Sequence, residues 1–226
     1  KIFEGNILAF FKDGYEQAKR RGHDIRHFSV AGGCFANVTL NKKILELECC
    51  ENLFVFPAMG DGGLSAGAAL MQHHKQSASE ERATDGIKTV YLADSFSGEQ
   101  IETALKEADL AYTKETAIEV KAAQLLAEGK VVARFNGAME FGPRALGNRS
   151  ILASPFDTKI NQWLNEKLKR TEFMPFAPSL LAEKAHDFLE NYDDAHFTCE
   201  FMTMIYTIKK QWREKLPAVV HVDHTA

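Results

Sequence analysis

The sequence predicts an α/β fold. Two short apolar runs, His27-Phe28-Ser29-Val30-Ala31 and Leu53-Phe54-Val55-Phe56-Pro57, have the length and composition of buried strands. Each runs into a glycine turn, Gly32-Gly33 in the first case and Gly60-Asp61-Gly62-Gly63 in the second. Each turn leads into a stretch with helical spacing of its apolar residues. Strand, glycine turn and helix, repeated, argue for an α/β layer around a mostly parallel sheet.

The elements follow in order. Residues 4–21 carry Ile7, Leu8, Phe11, Tyr15 and Ala18 on one face, with Lys19, Arg20 and Arg21 in the last turn and Gly22 just beyond, as a helix end requires. Residues 37–48 form a second helix with Val38, Leu40, Ile44, Leu45 and Leu47 as its apolar positions. A helix of small residues runs from 64 to about 74. The polar stretch 77–86 is a linker, which divides the chain into regions 1–76 and 87–226. The second region opens with a strand at 89–92, a helix at 98–108 started by Ser97, a short strand at 111–113 and a helix at 117–128 ended by Gly129. A strand at 131–135 follows, then a helix at 158–168 with Ile160, Trp163, Leu164 and Leu168 on one face, a short helix at 183–190, and strands at 203–208 and 218–222.

Composition narrows the classes. A chain of 226 residues with 45% hydrophobic and 26% charged residues is long enough for a sizeable core. A net charge of -4 without a long basic tract argues against a broad nucleic-acid interface. No stretch has the length of a membrane span, and the N-terminus has no signal-peptide pattern. Cys34, Cys49, Cys50 and Cys199 form no C-x-x-C pair, so reduced thiols in a cytoplasmic protein are expected. The start at Lys1 and the end in Val222-Asp223-His224-Thr225-Ala226 suggest a piece of something longer, truncated at its C-terminus.

The most informative stretch is residues 134–152. It leaves an apolar run, Val131-Val132-Ala133, and holds Asn136-Gly137-Ala138-Met139-Glu140-Phe141-Gly142-Pro143-Arg144-Ala145-Leu146-Gly147-Asn148-Arg149-Ser150. Glycines allow positive φ and close approach of backbone to a ligand, and arginine forks take phosphate or carboxylate oxygens. The stretch therefore reads as a loop that holds a small anion, or as ordinary glycine-proline turn chemistry. Lys130, Arg134, Arg144, Arg149, Lys167, Arg170 and the Ser179 hydroxyl could converge on such an anion, with Arg144 and Arg149 favoured by their place in the loop. Gly32-Gly33 opens a helix whose free N–H groups could face a phosphate. Asp61 suits either a helix cap or a metal ligand, and the residues alone favour the cap. His73 and His74 read as surface residues, and His221 as a core histidine. Nucleophilic triads, Walker loops and HExxH helices find no match.

Met139-Glu140-Phe141-Gly142-Pro143-Arg144-Ala145-Leu146-Gly147-Asn148-Arg149-Ser150 resembles the signature of the NodU/CmcH family of O-carbamoyltransferases. Pro175-Phe176-Ala177-Pro178-Ser179 and Pro217-Ala218-Val219-Val220-His221-Val222-Asp223 resemble two further motifs, and Gly32-Gly33 with Asn37 and Pro57 with Gly60-Asp61-Gly62-Gly63 resemble a part of the family's other domain. The resemblance implies that residues 1–76 are the C-terminal part of an actin-like ATPase-superfamily domain. Residues 87–226 are then a YrdC-like α/β domain. It implies an enzyme that makes carbamoyl-adenylate from carbamoyl phosphate and ATP and passes the carbamoyl group to a hydroxyl of a small-molecule acceptor. Arg144 and Ser179 fall at the catalytic positions. Lys130, Asn136, Asn148, Arg149, Ser150, Gly32, Gly33 and Asn37 accompany them as carbamoyl phosphate or nucleotide contacts, and Asp61 falls on a ligand of iron or a similar divalent metal.

Ala138, Phe156 and Met174 depart from the resemblance, since arginine is common there. Alternatives are a non-catalytic nucleotide- or anion-binding module and a threonylcarbamoyl-adenylate type of synthase. As a fragment the chain is expected to be inactive in full transfer. No nucleic-acid or membrane partner is expected, and an oligomer is left open.

Overall fold

The computed structural model describes residues 1–77, 87–169, 176–192 and 197–226. Most of the expected linker, together with Arg170, Met174 and Pro175, lies outside the described residues. The architecture is mixed α/β, and no helix of the described residues is long and apolar enough to cross a membrane.

Helix α1 (Ile2–Arg20) buries Phe11 and Tyr15. It ends in a Schellman closure, because Gly22 adopts φ 85° while the His23 amide reaches Ala18 O and the Gly22 amide reaches Lys19 O. Strand β1 (His27–Val30) pairs in parallel with β2 (Asn52–Val55), in the register His27–Asn52 to Val30–Val55. Helix α2 (Val38–Leu45) crosses between them and is capped by Asn37, whose Oδ1 accepts from the Leu40 amide at 3.0 Å. Helix α3 (Leu64–Gln76) follows the second glycine turn and buries none of its residues.

Helix α4 (Gly98–Glu107) begins with a reciprocal capping box between Ser97 and Gln100. Helix α5 (Ile118–Ala127) ends just before Gly129, at φ 76°. Strands β3 (Val132–Phe135) and β4 (Arg149–Leu152) pair antiparallel around the glycine-proline loop. Helices α6 (Lys159–Lys167), α7 (Ala185–Phe188) and α8 (Lys210–Arg213) complete the described elements.

A mostly parallel sheet does not form: the described strands make one parallel and one antiparallel pair. The end of the glycine-proline motif re-enters as β4, which supplies the antiparallel partner. The runs at 89–92 and 203–208 contribute only isolated bridges, Tyr91 to Glu140, Leu189 to Ile208 and Thr207 to Thr225. Residues 111–113 and 218–222 form no strand. Alternation makes a segment fit to pair, but the ladder needs a neighbour in reach. After Pro217 the chain instead closes on itself, with the Val219 and Val220 amides both bonded to Leu216 O.

One core joins the early and late parts of the chain. Leu40, Ile44, Leu53 and Val55 pack in one cluster with Phe11, Met59, Ala185, Leu189, Met204, Tyr206 and Ile208. Each wholly buried aliphatic side chain contributes about 1.5–3 kcal/mol by transfer from water. Polar groups stitch the same region. Thr198 Oγ1 accepts from the Val55 amide at 3.1 Å and donates to Leu53 O at 2.8 Å. Asn41, fully buried, donates from Nδ2 to both Phe35 O and Thr203 O at 2.8 Å. The Thr203 hydroxyl donates to Thr198 O. This packing fixes β1 and β2, whose C-terminal ends carry the two glycine turns.

Candidate functional site

Three glycine-rich segments meet beyond the ends of β1 and β2. Gly32 adopts φ 122°, a conformation that side chains rarely tolerate, and its amide donates to Met59 O at 2.6 Å. That bond ties the first turn to the second. Gly142, at φ 120°, lies so close to the second turn that a Cβ there would stand 3.0 Å from Pro57 O. Phe141 and Phe56 make an edge contact, 6.3 Å between ring centroids. Arg144 crosses to the first turn, where Nη2 donates to Ala36 O at 3.2 Å. Its Nε is buried and has no hydrogen-bond partner among the described residues.

The glycine-proline loop has a carboxylate at its centre. Glu140 is 7% exposed, and its Oε1 accepts from the amides of Leu146, Asn148 and Arg149 at 2.8, 2.7 and 3.1 Å. Burial pushes its carboxyl up, but backbone amides, its own included, outweigh that and hold it below the usual glutamate value. The Gly147 amide donates to Ser150 Oγ at 2.8 Å, and Asn148 Nδ2 donates to Ala138 O at 2.7 Å. Tyr91 braces the outside, with its hydroxyl on Leu146 O at 2.8 Å.

Arg149 is held inside the loop. Its Nη1 donates to Asn136 O and Asn148 O, its Nη2 donates to Gly137 O, and its guanidinium stacks on Phe135 at 3.6 Å. Asn136, Asn148, Arg149 and Ser150 thus form one network, and Arg144 extends from the same loop toward residue 36. Gly33 opens the 3-10 turn Gly33–Ala36, and the Asn37 side chain is occupied as the cap of α2. Lys130 is exposed between α5 and β3, and Ser179 is exposed in an irregular segment. Among the described residues no hydrogen bond of either side chain ties it to the network. Lys167 lies over the Trp163 ring at 5.8 Å, on the last turn of α6.

Asp61 is exposed, and α3 has Gly63 at its N-cap rather than Asp61. No group of three His, Cys, Asp or Glu that could hold a metal ion occurs among the described residues. His221 is not a core residue. It is exposed, and its Nδ1 lies 3.2 Å from Asp223 Oδ1, which also accepts from the Thr225 hydroxyl and amide. An apolar cleft of about 400 Å³, lined by Phe96, Ile101, Leu105, Leu110 and Phe135 among others, has no charged wall and offers nothing to an anion.

Sequence reasoning passed over Glu140 and Tyr91. A glutamate in a polar loop is ordinarily solvated. Only the fold of the loop around it, with four consecutive amides at 146–149 turned inward, shows its place.

Comparison with known proteins gives two family matches. Residues 11–70 match the family model described as carbamoyltransferase N-terminus, and residues 123–226 match that described as carbamoyltransferase C-terminus. The chain is 37% identical over 211 residues to the nodulation protein NolNO of Sinorhizobium fredii, covering 89% of this chain and 30% of that protein. It is 36% identical over 213 residues to nodulation protein NolO of Bradyrhizobium diazoefficiens, covering 92% and 38%. An uncharacterised protein of Methanocaldococcus jannaschii is 36% identical over 231 residues, covering 99% of this chain and 36% of its own length. The chain therefore spans about a third of the length of these relatives. The two matched models take in both the paired glycine turns and the loop that docks on them, and the chain belongs to the carbamoyltransferase family.

Proposed function

We propose that the chain supplies the site at which an O-carbamoyltransferase takes up carbamoyl phosphate and ATP and forms carbamoyl-adenylate, whose carbamoyl group then passes to a hydroxyl of a small-molecule acceptor. The observation that carries this reading is Arg144. It spans from the glycine-proline loop to the first glycine turn with one nitrogen bonded to Ala36 O and the buried Nε unpartnered among the described residues. A buried guanidinium donor without an acceptor is costly, and an oxyanion is the partner that best satisfies it.

In this reading water first cleaves carbamoyl phosphate to carbamate and inorganic phosphate. The carbamate oxygen then attacks the α-phosphorus of ATP while the Arg144 guanidinium neutralises phosphate oxygens. The new bond is the mixed anhydride, and pyrophosphate leaves. A fixed cation at the reacting phosphate lowers the barrier because it need not reorganise as charge develops. Arg149 serves indirectly, by holding the carbonyls of Asn136, Gly137 and Asn148 and so the shape of the loop. Gly32 and Gly33 leave room at the neighbouring turn, where a Cβ at Gly33 would meet nothing within 4 Å. Asp61 is assigned no step.

The test is ATP–pyrophosphate exchange dependent on carbamoyl phosphate, paired with calorimetry of both ligands. Exchange by the chain, lost in Arg144→Ala, supports the reading. Binding of both ligands without exchange points to a binding module. Absence of both binding and exchange refutes it.

A further inference from the structure

We propose that Glu140 is a positioning residue that serves as the glycine-proline loop's own resident anion. Its carboxylate fills the amide nest that a phosphate loop would otherwise offer to its ligand, so the loop holds its shape without ligand and presents arginine rather than backbone. The proposal rests on the function proposed above only for the identity of the ligand.

The geometry carries it. In phosphate-binding glycine loops, successive backbone N–H groups face the ligand oxygens. Here the four amides from residue 146 to residue 149 are all occupied from within. Glu140 Oε1 takes those of Leu146, Asn148 and Arg149, and Ser150 Oγ takes that of Gly147. Glu140 is itself anchored on both sides. It bridges to Tyr91, and the Phe141 amide donates to Val90 O at 2.6 Å. A carboxylate gripped by three donors makes charge-assisted bonds roughly twice as strong as neutral ones. The oxyanions of an incoming ligand therefore find no free donor on this arc of backbone. A buried donor left without a partner among the described residues is Arg144 Nε, two residues beyond Gly142, whose close approach to Pro57 depends on the loop keeping this form.

The experiment compares Glu140→Ala and Glu140→Gln with the parent chain, with and without excess formate. Two readouts are taken: backbone amide exchange at residues 146, 148 and 149, and the calorimetric affinity for carbamoyl phosphate. In Glu140→Ala the three amides are expected to exchange roughly 5- to 150-fold faster, the range that follows from leaving a buried group without its partner. The affinity should fall with them, and formate, which fits the vacated place, should restore both. A scaffold defect without an anion site would show no such rescue. Glu140→Gln keeps the shape and one acceptor oxygen, so it covers the case in which alanine does not fold. Its amides should exchange severalfold faster than the parent's and ignore formate.

Parent-like amide exchange in Glu140→Gln, or an alanine variant that formate does not rescue, overturns the proposal. Tighter binding of carbamoyl phosphate by Glu140→Ala also overturns it, since the nest would then be the ligand's site. If the parent chain binds no carbamoyl phosphate, the proposed function fails while amide exchange still decides the role of Glu140.

Discussion

The Thr198 hydroxyl stands in for a neighbouring strand along the open side of β2. It accepts from the Val55 amide and donates to Leu53 O, and it is 2% exposed. Replacing it with valine keeps the volume, so no cavity opens, but one donor and one acceptor of β2 lose their partner inside the core. A buried polar group left unpaired costs about 1–3 kcal/mol, so Thr198→Val should lose about 2–6 kcal/mol. That is a large part of the 5–15 kcal/mol typical of a folded domain. Thr198→Ser is the control. It keeps both bonds and gives up one methyl group, worth about 0.8 kcal/mol. Equilibrium urea unfolding followed by tryptophan fluorescence measures both, with unchanged m-values expected. A valine variant within about 0.5 kcal/mol of the parent, well under the cost of even one unpaired group, would refute the reasoning.

Further expectations concern the loop, a thiol and the acid limit of stability. Gly142→Ala should destabilise by roughly 1–3 kcal/mol, since a non-glycine residue is strained at that φ and its Cβ would press on Pro57 O. Gly147→Ala, at φ 111° with open space around it, should cost less, and thermal unfolding of the two variants gives the order. Burial first, and the neighbouring Cys49 second, push the Cys50 thiol up to about 11, so Cys50 should resist alkylation in the folded protein at pH about 8 and react once unfolded. Mass spectrometry of the labelled peptides reads this directly. Asp223 is pulled down to about 2, first by the Thr225 hydroxyl, against burial. Its folded value lies below the unfolded value of about 3.9, so its contribution is full above that pH and is lost as the pH falls toward about 2. Asp223→Asn should flatten the fall in melting temperature across that window.

What could be read from the sequence was local. Ser97 and Gln100 form the capping box that the helix start requires, Gly22 ends α1 and Gly129 follows α5, and β1 and β2 lie on the two apolar runs. Each depends on residues a few places apart. The parts that escaped depend on residues far apart or on a folded loop. Thr198 completes β2 across 143 residues of sequence, which no periodicity displays. Residues 203–208 have the alternation of a strand, yet their ladder shrinks to single bridges because no long partner lies alongside. At the candidate site, Gly32, Gly142 and Arg144 could be picked out as residue types, and their meeting could not. His221 was expected in the core on the strength of apolar neighbours, but the turn after Pro217 brings it out to Asp223.

The bond from Asn41 to Thr203 spans 162 residues. On a ribosome adding 5–20 residues per second, the early strands would wait roughly 8–30 s for the segment that completes their core. Through that interval Leu40, Ile44, Leu53 and Val55 lack their late partners, and β2 lacks the Thr198 hydroxyl. The nascent chain therefore stays exposed to aggregation and to chaperone capture even after its glycine-proline loop is made, until the late core segment follows. Slower translation of the segment between residues 60 and 197 would lengthen that exposure without altering the finished protein.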